Sequence, residues 1–101
     1  MIKVIINEQE RIWDSSQAGW INGTINELQK AGEPTCVRVL IEYGNINLCL
    51  SAGACSKSSG GGRPLNTHEA EMVDYWEQLS VESSPLNGGK LIAFLNQIKT
   101  R

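Results

Sequence analysis

Residues 35–50, which read TCVRVLIEYGNINLCL, decide the fold. Apolar residues occupy alternate positions on each side of Gly44-Asn45, and these positions are Val37, Val39, Ile41, Tyr43, Ile46, Leu48 and Leu50. A period of two is typical of a strand with one buried face. Glycine followed by asparagine supplies the positive-φ residues of a tight turn between two strands. The segment therefore predicts an antiparallel β-hairpin at the centre of a sheet.

The segment before the hairpin predicts a strand and a helix. Ile2, Val4 and Ile6 alternate with other residues and predict a strand over 2–7. Around 12–13 the sequence is compatible with a short strand or turn that is followed by a loop. Thr24 and Glu27 have the spacing of a capping box, which predicts a helix over 25–31. Residues Gly32 and Pro34 then provide its stop signals, and Ile21, Ile25 and Leu28 should face the core.

The segment after the hairpin predicts a loop and two helices. Residues 51–65 read SAGACSKSSGGGRPL, a composition that favours a mobile loop. Asn66 and Glu69 match a helix N-cap with an acidic residue three positions later, which predicts a helix over 67–79. An apolar stripe at helical spacing predicts a last helix over 89–99. The fold class is therefore α+β, with an antiparallel sheet packed against two or three helices.

Length and composition limit the classes of function. The 101 residues suit one domain, 1–101, and 41% of them are apolar. A net charge of -2 disfavours a phosphate-seeking surface, so nucleic acid is not an expected partner. The apolar runs are far shorter than the roughly 20 residues of a membrane-spanning helix, and the N-terminus lacks a signal-peptide pattern. We expect a cytoplasmic, monomeric protein without membrane contact.

The cysteines and the histidine suggest neither a cofactor nor a catalytic pair. Cys36, Cys49 and Cys55 are odd in number and irregularly spaced, which favours reduced thiols. The spacing from Cys49 through Cys55 to His68 matches no common zinc pattern, and a fourth ligand is missing. Cys36 and Cys49 fall within predicted strands and Cys55 within a loop, so a preorganised thiol and imidazole pair is not expected. We therefore expect no metal, no cofactor and no enzyme activity.

Acidic residues on the predicted 67–79 helix are the main candidates for function. This helix contains no lysine or arginine, and helical spacing fans its carboxylates over a convex face rather than across a hydrolase cleft. A solvated face explains such charges, and so does a surface that steers a basic protein partner. Tryptophans that flank a polar loop are either lids over a core or interface anchors. The candidate partner-binding residues are Glu69, Glu71, Asp74, Glu77, Gln78, Trp13 and Trp20.

Residues 45–98 resemble small bacterial immunity proteins of contact-dependent growth inhibition and related polymorphic toxin systems. The resemblance rests on Asn47-Leu48-Cys49-Leu50, Arg63-Pro64, Glu69 with Trp76-Glu77, Leu86-Asn87 and Leu91-Ile92-Ala93-Phe94-Leu95. It implies a cytoplasmic protein that neutralises one cognate toxin domain, commonly a nuclease, in a 1:1 complex. Two rivals remain open. One is a small enzyme or ligand-sensing domain with the 51–65 loop as a lid, and the other is a regulatory subunit that binds through the hairpin edge.

Overall fold

Four strands and three helices make up the part of the chain that the computed structural model describes, residues 1–55, 64–81 and 86–99. The strands are β1 (Ile2–Ile6), β2 (Gln9–Ile12), β3 (Cys36–Tyr43) and β4 (Ile46–Gly53), and the helices are α1 (Ala18–Lys30), α2 (Thr67–Gln78) and α3 (Gly88–Lys99). The sheet is antiparallel throughout, in the order β2-β1-β3-β4. The predicted α+β class is confirmed.

The predicted hairpin is formed by β3 and β4. Tyr43 pairs with Ile46 across a turn in which Gly44 has a φ of 58°. Residues at alternate positions of both strands are buried as expected, although the side chain of Tyr43 lies outside the described part. Of the two strands of this hairpin, β3 is internal to the sheet, because β1 pairs with its other side, whereas β4 pairs with β3 alone. The hairpin is therefore not wholly central, and β4 forms an edge.

A second, shorter hairpin precedes it. The segment that the sequence left open contains β2, which begins at Gln9, three residues earlier than the expected strand or turn at 12–13. Asn7 adopts a φ of 53° in the turn. Its side-chain oxygen accepts a hydrogen bond from the N–H of Cys36 at 2.8 Å, and its own N–H donates to the carbonyl of Cys36. The turn is thus fastened to the start of β3.

Helix α1 is longer than predicted. The expected start near 25 is wrong, because α1 begins at Ala18 and Thr24 lies in its middle. The helix follows a 3-10 turn, Ser15–Gln17, in which the side chain of Asp14 accepts a hydrogen bond from the N–H of Ser16. The predicted end is confirmed, since Gly32 follows Lys30 and Ala31 with a φ of 72°.

The helices cover one face of the sheet and form the core with it. The residues expected to be buried together all lie in one apolar cluster, and they are Val39, Ile41, Leu48, Trp76, Leu91 and Leu95. The ring of Trp76 meets that of Phe94 edge to face, at 5.0 Å between centroids. Helix α1 contacts β1, α2 contacts β4, and α3 contacts both other helices. Helix α2 therefore lies toward the β4 edge and α1 toward the β2 edge.

A disulfide joins Cys36 to Cys55, so the expectation of three reduced thiols is wrong. The register brings the two cysteines together, because Cys36 pairs with Gly53 and the chain then turns back. Gly53 has a φ of 85°, and a Cβ there would lie 2.2 Å from the carbonyl oxygen of Thr35. The N–H of Ala54 donates to that same carbonyl. Cys49 is a free, exposed cysteine.

The predicted 51–65 loop begins later than expected. Residues 51–53 belong to β4, and the greater part of the remaining range, 56–63, lies outside the described residues. Helices α2 and α3 match their predictions to within a residue at each end. Within residues 1–55, 64–81 and 86–99, none of the helices combines the length and the apolar character needed to cross a membrane.

Candidate partner-binding surface

Three carboxylates form an arc on the exposed side of α2. Glu71, Asp74 and Glu77 are exposed, whereas Met72 and Trp76 of the same helix are buried. At about 100° per residue, Asp74 lies roughly 60° from each of the other two acids around the helix axis. Asp74 is therefore central, as the sequence predicted, and neither lysine nor arginine occurs in the 12 residues of α2.

A depression of about 390 Å³ lies beside this arc. Glu71, Asp74, Tyr75 and Gln78 line it from α2, and Gln97 lines it from α3. The ring of Tyr75 also meets that of Phe94 on α3, at 5.8 Å between centroids, so both helices hold the aromatic wall. The lining combines carboxylates with amides and a phenol, and such groups accept hydrogen bonds from arginine and lysine.

Glu69 does not belong to this surface, although the sequence placed it among the partner-binding residues. Its relative exposure is 0%. One carboxylate oxygen accepts a hydrogen bond from the N–H of Asn66 at 3.0 Å, and the other accepts one from the N–H of Asn47 at 2.9 Å. The side chain of Asn66 in turn accepts from the N–H of Glu69. The predicted N-cap at Asn66 corresponds to the last of these bonds, and the bonds from Asn66 and Asn47 hold the carboxylate in its buried position.

Trp13 is likewise a core residue and not an interface anchor. Its exposure is only 6%, and it packs in the same apolar cluster as the strands. Among the residues described, the indole N–H of Trp13 is the one buried side-chain polar atom without a hydrogen-bond partner. Its backbone N–H extends the sheet by donating to the carbonyl of Ile2. The strand register explains the burial, since Trp13 lies opposite Ile2 and points to the same face of the sheet as Ile2 and Val4.

Trp20, the other predicted anchor, stays partly exposed at the opposite end of the molecule. Its indole N–H donates to the side-chain oxygen of Gln9 at 3.3 Å. The guanidinium of Arg11 lies 4.8 Å from its ring centroid and also donates to the side chain of Gln17 at 3.1 Å. Sequence reasoning missed Arg11, because its place beside Trp20 depends on the register of β2. Trp20 therefore forms a second exposed cluster, separate from α2.

A larger groove of about 950 Å³ lies near the turn between β1 and β2. It includes Asn7, Glu8, Arg38 and Ala54, together with Leu28 from α1. It also contains Cys36, but the sulfur of Cys36 is bonded to that of Cys55.

The structure does not bring Cys36 or Cys55 to His68. Cys36 and Cys55 meet at the end of β4, whereas His68 follows Asn66, whose side chain donates to the carbonyl of Asn45 at the start of β4. The eight residues of β4 at about 3.3 Å each separate the two places. In the described ranges, no three histidine, cysteine or acidic side chains come close enough to hold a metal ion.

Comparisons with known proteins do not extend this description. No protein-family model matches the chain, and no match is found among curated proteins or among solved structures.

Proposed function

We propose that the protein is an immunity protein that binds and neutralises a toxin domain in a 1:1 complex, and that the acidic arc of α2 contacts this partner. The observation that carries the proposal is the exposure of Glu71, Asp74 and Glu77 on one side of α2, where the first two line a depression together with Gln78 and Gln97. The resemblance of residues 45–98 to immunity proteins supplies the class of partner. Neutralisation by a binding protein requires no catalytic residue in this chain.

Electrostatics favours a basic partner for this surface. Three carboxylates on one helix that contains no lysine or arginine create a local negative potential. Such a potential accelerates the encounter with a positively charged surface, and nuclease domains carry positive charge where they hold phosphates. The arc would therefore occupy the part of a nuclease that otherwise binds nucleic acid.

The rigidity of the surface also supports the proposal. The capping box of Asn66 and Glu69 fixes the start of α2, and Trp76 and Tyr75 pack against Phe94 of α3. A preorganised surface loses little conformational entropy on binding. The carboxylates are thus held on a helix that is already packed against α3 before a partner arrives.

The direct test is co-purification with the product of the neighbouring gene, followed by stopped-flow association kinetics of the captured partner. Changing both Glu71→Lys and Asp74→Lys should slow association about tenfold or more at low salt and reduce its dependence on salt. The matched control is Glu27→Lys with Glu33→Lys, because both acids are exposed, lie outside the arc and give the same change in net charge. The control should retain nearly the original association rate.

Two results would contradict the proposal in different ways. Equal association rates for the two double variants would remove the arc of α2 from the interface while leaving the immunity function intact. If the product of the neighbouring gene does not bind, and this protein leaves the toxicity of that product unchanged, the immunity function itself is rejected. Saturable binding of a small molecule in the groove beside Asn7 would then favour the ligand-sensing rival.

A further inference from the structure

The two edges of the sheet are treated differently by the rest of the chain. At the β4 edge, the carboxylate of Glu69 accepts the N–H of Asn47, and the side chain of Asn66 donates to the carbonyl of Asn45. The N–H of Asn47 points away from β3, because its cross-strand neighbour Glu42 donates its own N–H toward Met1. Side chains at the start of α2 therefore occupy part of the outer edge of β4, which is a common protection against strand pairing.

The β2 edge has no such cover in the described ranges. All four residues of β2 are exposed, and no described strand pairs with its outer side. The N–H of Trp13 donates to the carbonyl of Ile2, so residues 9, 11 and 13 bond toward β1. The backbone groups of Glu10 and Ile12 consequently point outward, as they do in any antiparallel ladder.

Several side chains around this edge are already held in position by other residues of the chain. Arg11 is held over the ring of Trp20 and against Gln17, on the side of the sheet that faces the helices. On the opposite side Glu10 is paired with Lys3 at 3.3 Å, and Ile12 is 59% exposed. An incoming strand would thus meet a cation on one side and an apolar side chain on the other. Arginine and tryptophan are also the residue types that dominate binding energy at interfaces.

Charge disfavours a second copy of this chain at the same edge. Two β2 strands that pair antiparallel about Arg11 would place the two guanidinium groups opposite each other. Pairing about Glu10 would oppose two carboxylates, and like charges in direct opposition destabilise a strand pair. Pairing about Ile12 would run beyond the strand into Asp14 and the 3-10 turn at Ser15–Gln17. A strand of different sequence avoids these like-charge pairs if it places an acidic residue across from Arg11 and an apolar residue across from Ile12.

We infer that the outer edge of β2 binds an extended segment of another protein by strand addition, with an acidic residue of that segment opposite Arg11 and an apolar residue opposite Ile12. The partner strand would exchange main-chain hydrogen bonds with Glu10 and Ile12, as in other strand-addition complexes. This surface lies at the other end of the sheet from α2, and it does not depend on the proposed role of the acidic arc.

The test uses two synthetic peptides and the intact protein. The first is acetyl-Thr-Val-Glu-Val-Thr-amide, which reads the same in both directions, and the second has lysine in place of glutamate. We expect the first peptide, when titrated into the protein and followed by NMR, to shift the amide signals of Glu10 and Ile12. It should also slow the exchange of these amide hydrogens with solvent. The glutamate peptide should bind about fivefold more tightly than the lysine peptide, since an attractive cross-strand pair replaces a repulsive one. Arg11→Glu should reverse this preference.

Two proline variants test which edge of the sheet binds the peptide. Ile12→Pro removes an outward N–H without removing a bond to β1, and edge strands tolerate such a change. It should weaken binding of the glutamate peptide about fivefold, whereas Ser51→Pro, the same change at the outward side of β4, should leave binding unaltered. If Ile12→Pro fails to fold, the inference is tested by Arg11→Glu alone, which should prefer the lysine peptide over the glutamate peptide.

Three outcomes would overturn the inference. Peptide-induced shifts confined to residues outside β2 would place the binding elsewhere. If Arg11→Glu still preferred the glutamate peptide over the lysine peptide, Arg11 would not be the residue that pairs with the acid of the incoming strand. A concentration-dependent dimer that Ile12→Pro abolishes would identify a second copy as the occupant. The double variant Glu71→Lys with Asp74→Lys should bind the peptides normally, so a failure at β2 is distinguishable from a failure at α2.

Discussion

Among the residues that the structure describes, the β4 edge of the sheet is held at both ends, whereas the β2 edge is attached through β1 and a few side chains. Glu69 and Asn66 bond the first residues of β4, and the disulfide from Cys36 to Cys55 closes the far end. At the β2 edge, the contacts are the exposed pair of Lys3 with Glu10 and the cluster around Trp20. The comparison indicates that the β4 edge contributes to stability, whereas the interactions at the β2 edge cost little to rearrange.

The largest expected effect comes from removing the buried carboxylate. Glu69→Ala leaves the N–H groups of Asn66 and Asn47 without their acceptor and opens a cavity beside α2. We expect the free energy of unfolding to fall by about 4 kcal/mol, because each orphaned donor costs about 1–3 kcal/mol and the cavity adds to this. Urea denaturation measures the change.

A matched pair of variants checks the reason for that loss. Glu69→Gln keeps one side-chain oxygen as an acceptor and should cost about half as much as the alanine variant, since only one of the two N–H groups loses its partner. Glu10→Ala removes a carboxylate from the exposed edge and should change the free energy of unfolding by less than about 0.5 kcal/mol. Similar losses at Glu69 and Glu10 would mean that the two edges do not differ in the way described.

The disulfide gives the next largest effect. Cys36 and Cys55 are 19 residues apart, so replacing both by alanine should lower the free energy of unfolding by about 3 kcal/mol, mainly through a less constrained unfolded chain. Mass spectrometry after alkylation provides an independent check. Without reductant only Cys49 should be modified, and after reduction and unfolding all three cysteines should be. Three modified cysteines in the untreated protein would show that the bond does not form.

The same measurement bears on the cellular compartment. Disulfides persist in oxidising compartments and are uncommon in the reducing cytoplasm. The expected cytoplasmic location would therefore require Cys36 and Cys55 to be reduced there, or the bond to resist reduction. Alkylation of the protein in intact cells distinguishes these states, because a protected pair leaves only Cys49 reactive.

Local patterns predicted most of the fold because they reflect local physics. The alternation through Val39 and Leu48 follows directly from burial of one sheet face, and the signals at Asn66 and Gly32 describe backbone groups within a few residues. The start of α1 was predicted wrongly because Thr24 and Glu27 have capping-box spacing. That spacing also occurs inside a helix, and Ile21 in the preceding turn is fully buried.

The candidate site was less predictable because it depends on how distant segments meet. Helical spacing placed Glu71, Asp74 and Glu77 on the exposed side of α2 correctly. It could not show that the oxygen of Glu69 reaches Asn47, which lies 22 positions earlier in the chain. Pairing of Cys36 with Cys55 likewise depends on the strand register and on the turn at Gly53, neither of which cysteine spacing encodes.

The smallest expected effect concerns Arg11 and Trp20 at the open edge. A double-mutant cycle of Arg11→Ala and Trp20→Ala should give a coupling of about 0.5 kcal/mol in the free energy of unfolding, the value typical of an exposed cation and an aromatic ring. Thermal or urea unfolding of the four proteins measures it. A coupling above about 1.5 kcal/mol would instead make the pair a structural fastening comparable with Glu69. A small coupling, combined with loss of the preference for the glutamate peptide in Arg11→Ala, would assign this cluster to binding, because the arginine would then matter to a partner strand far more than to folding.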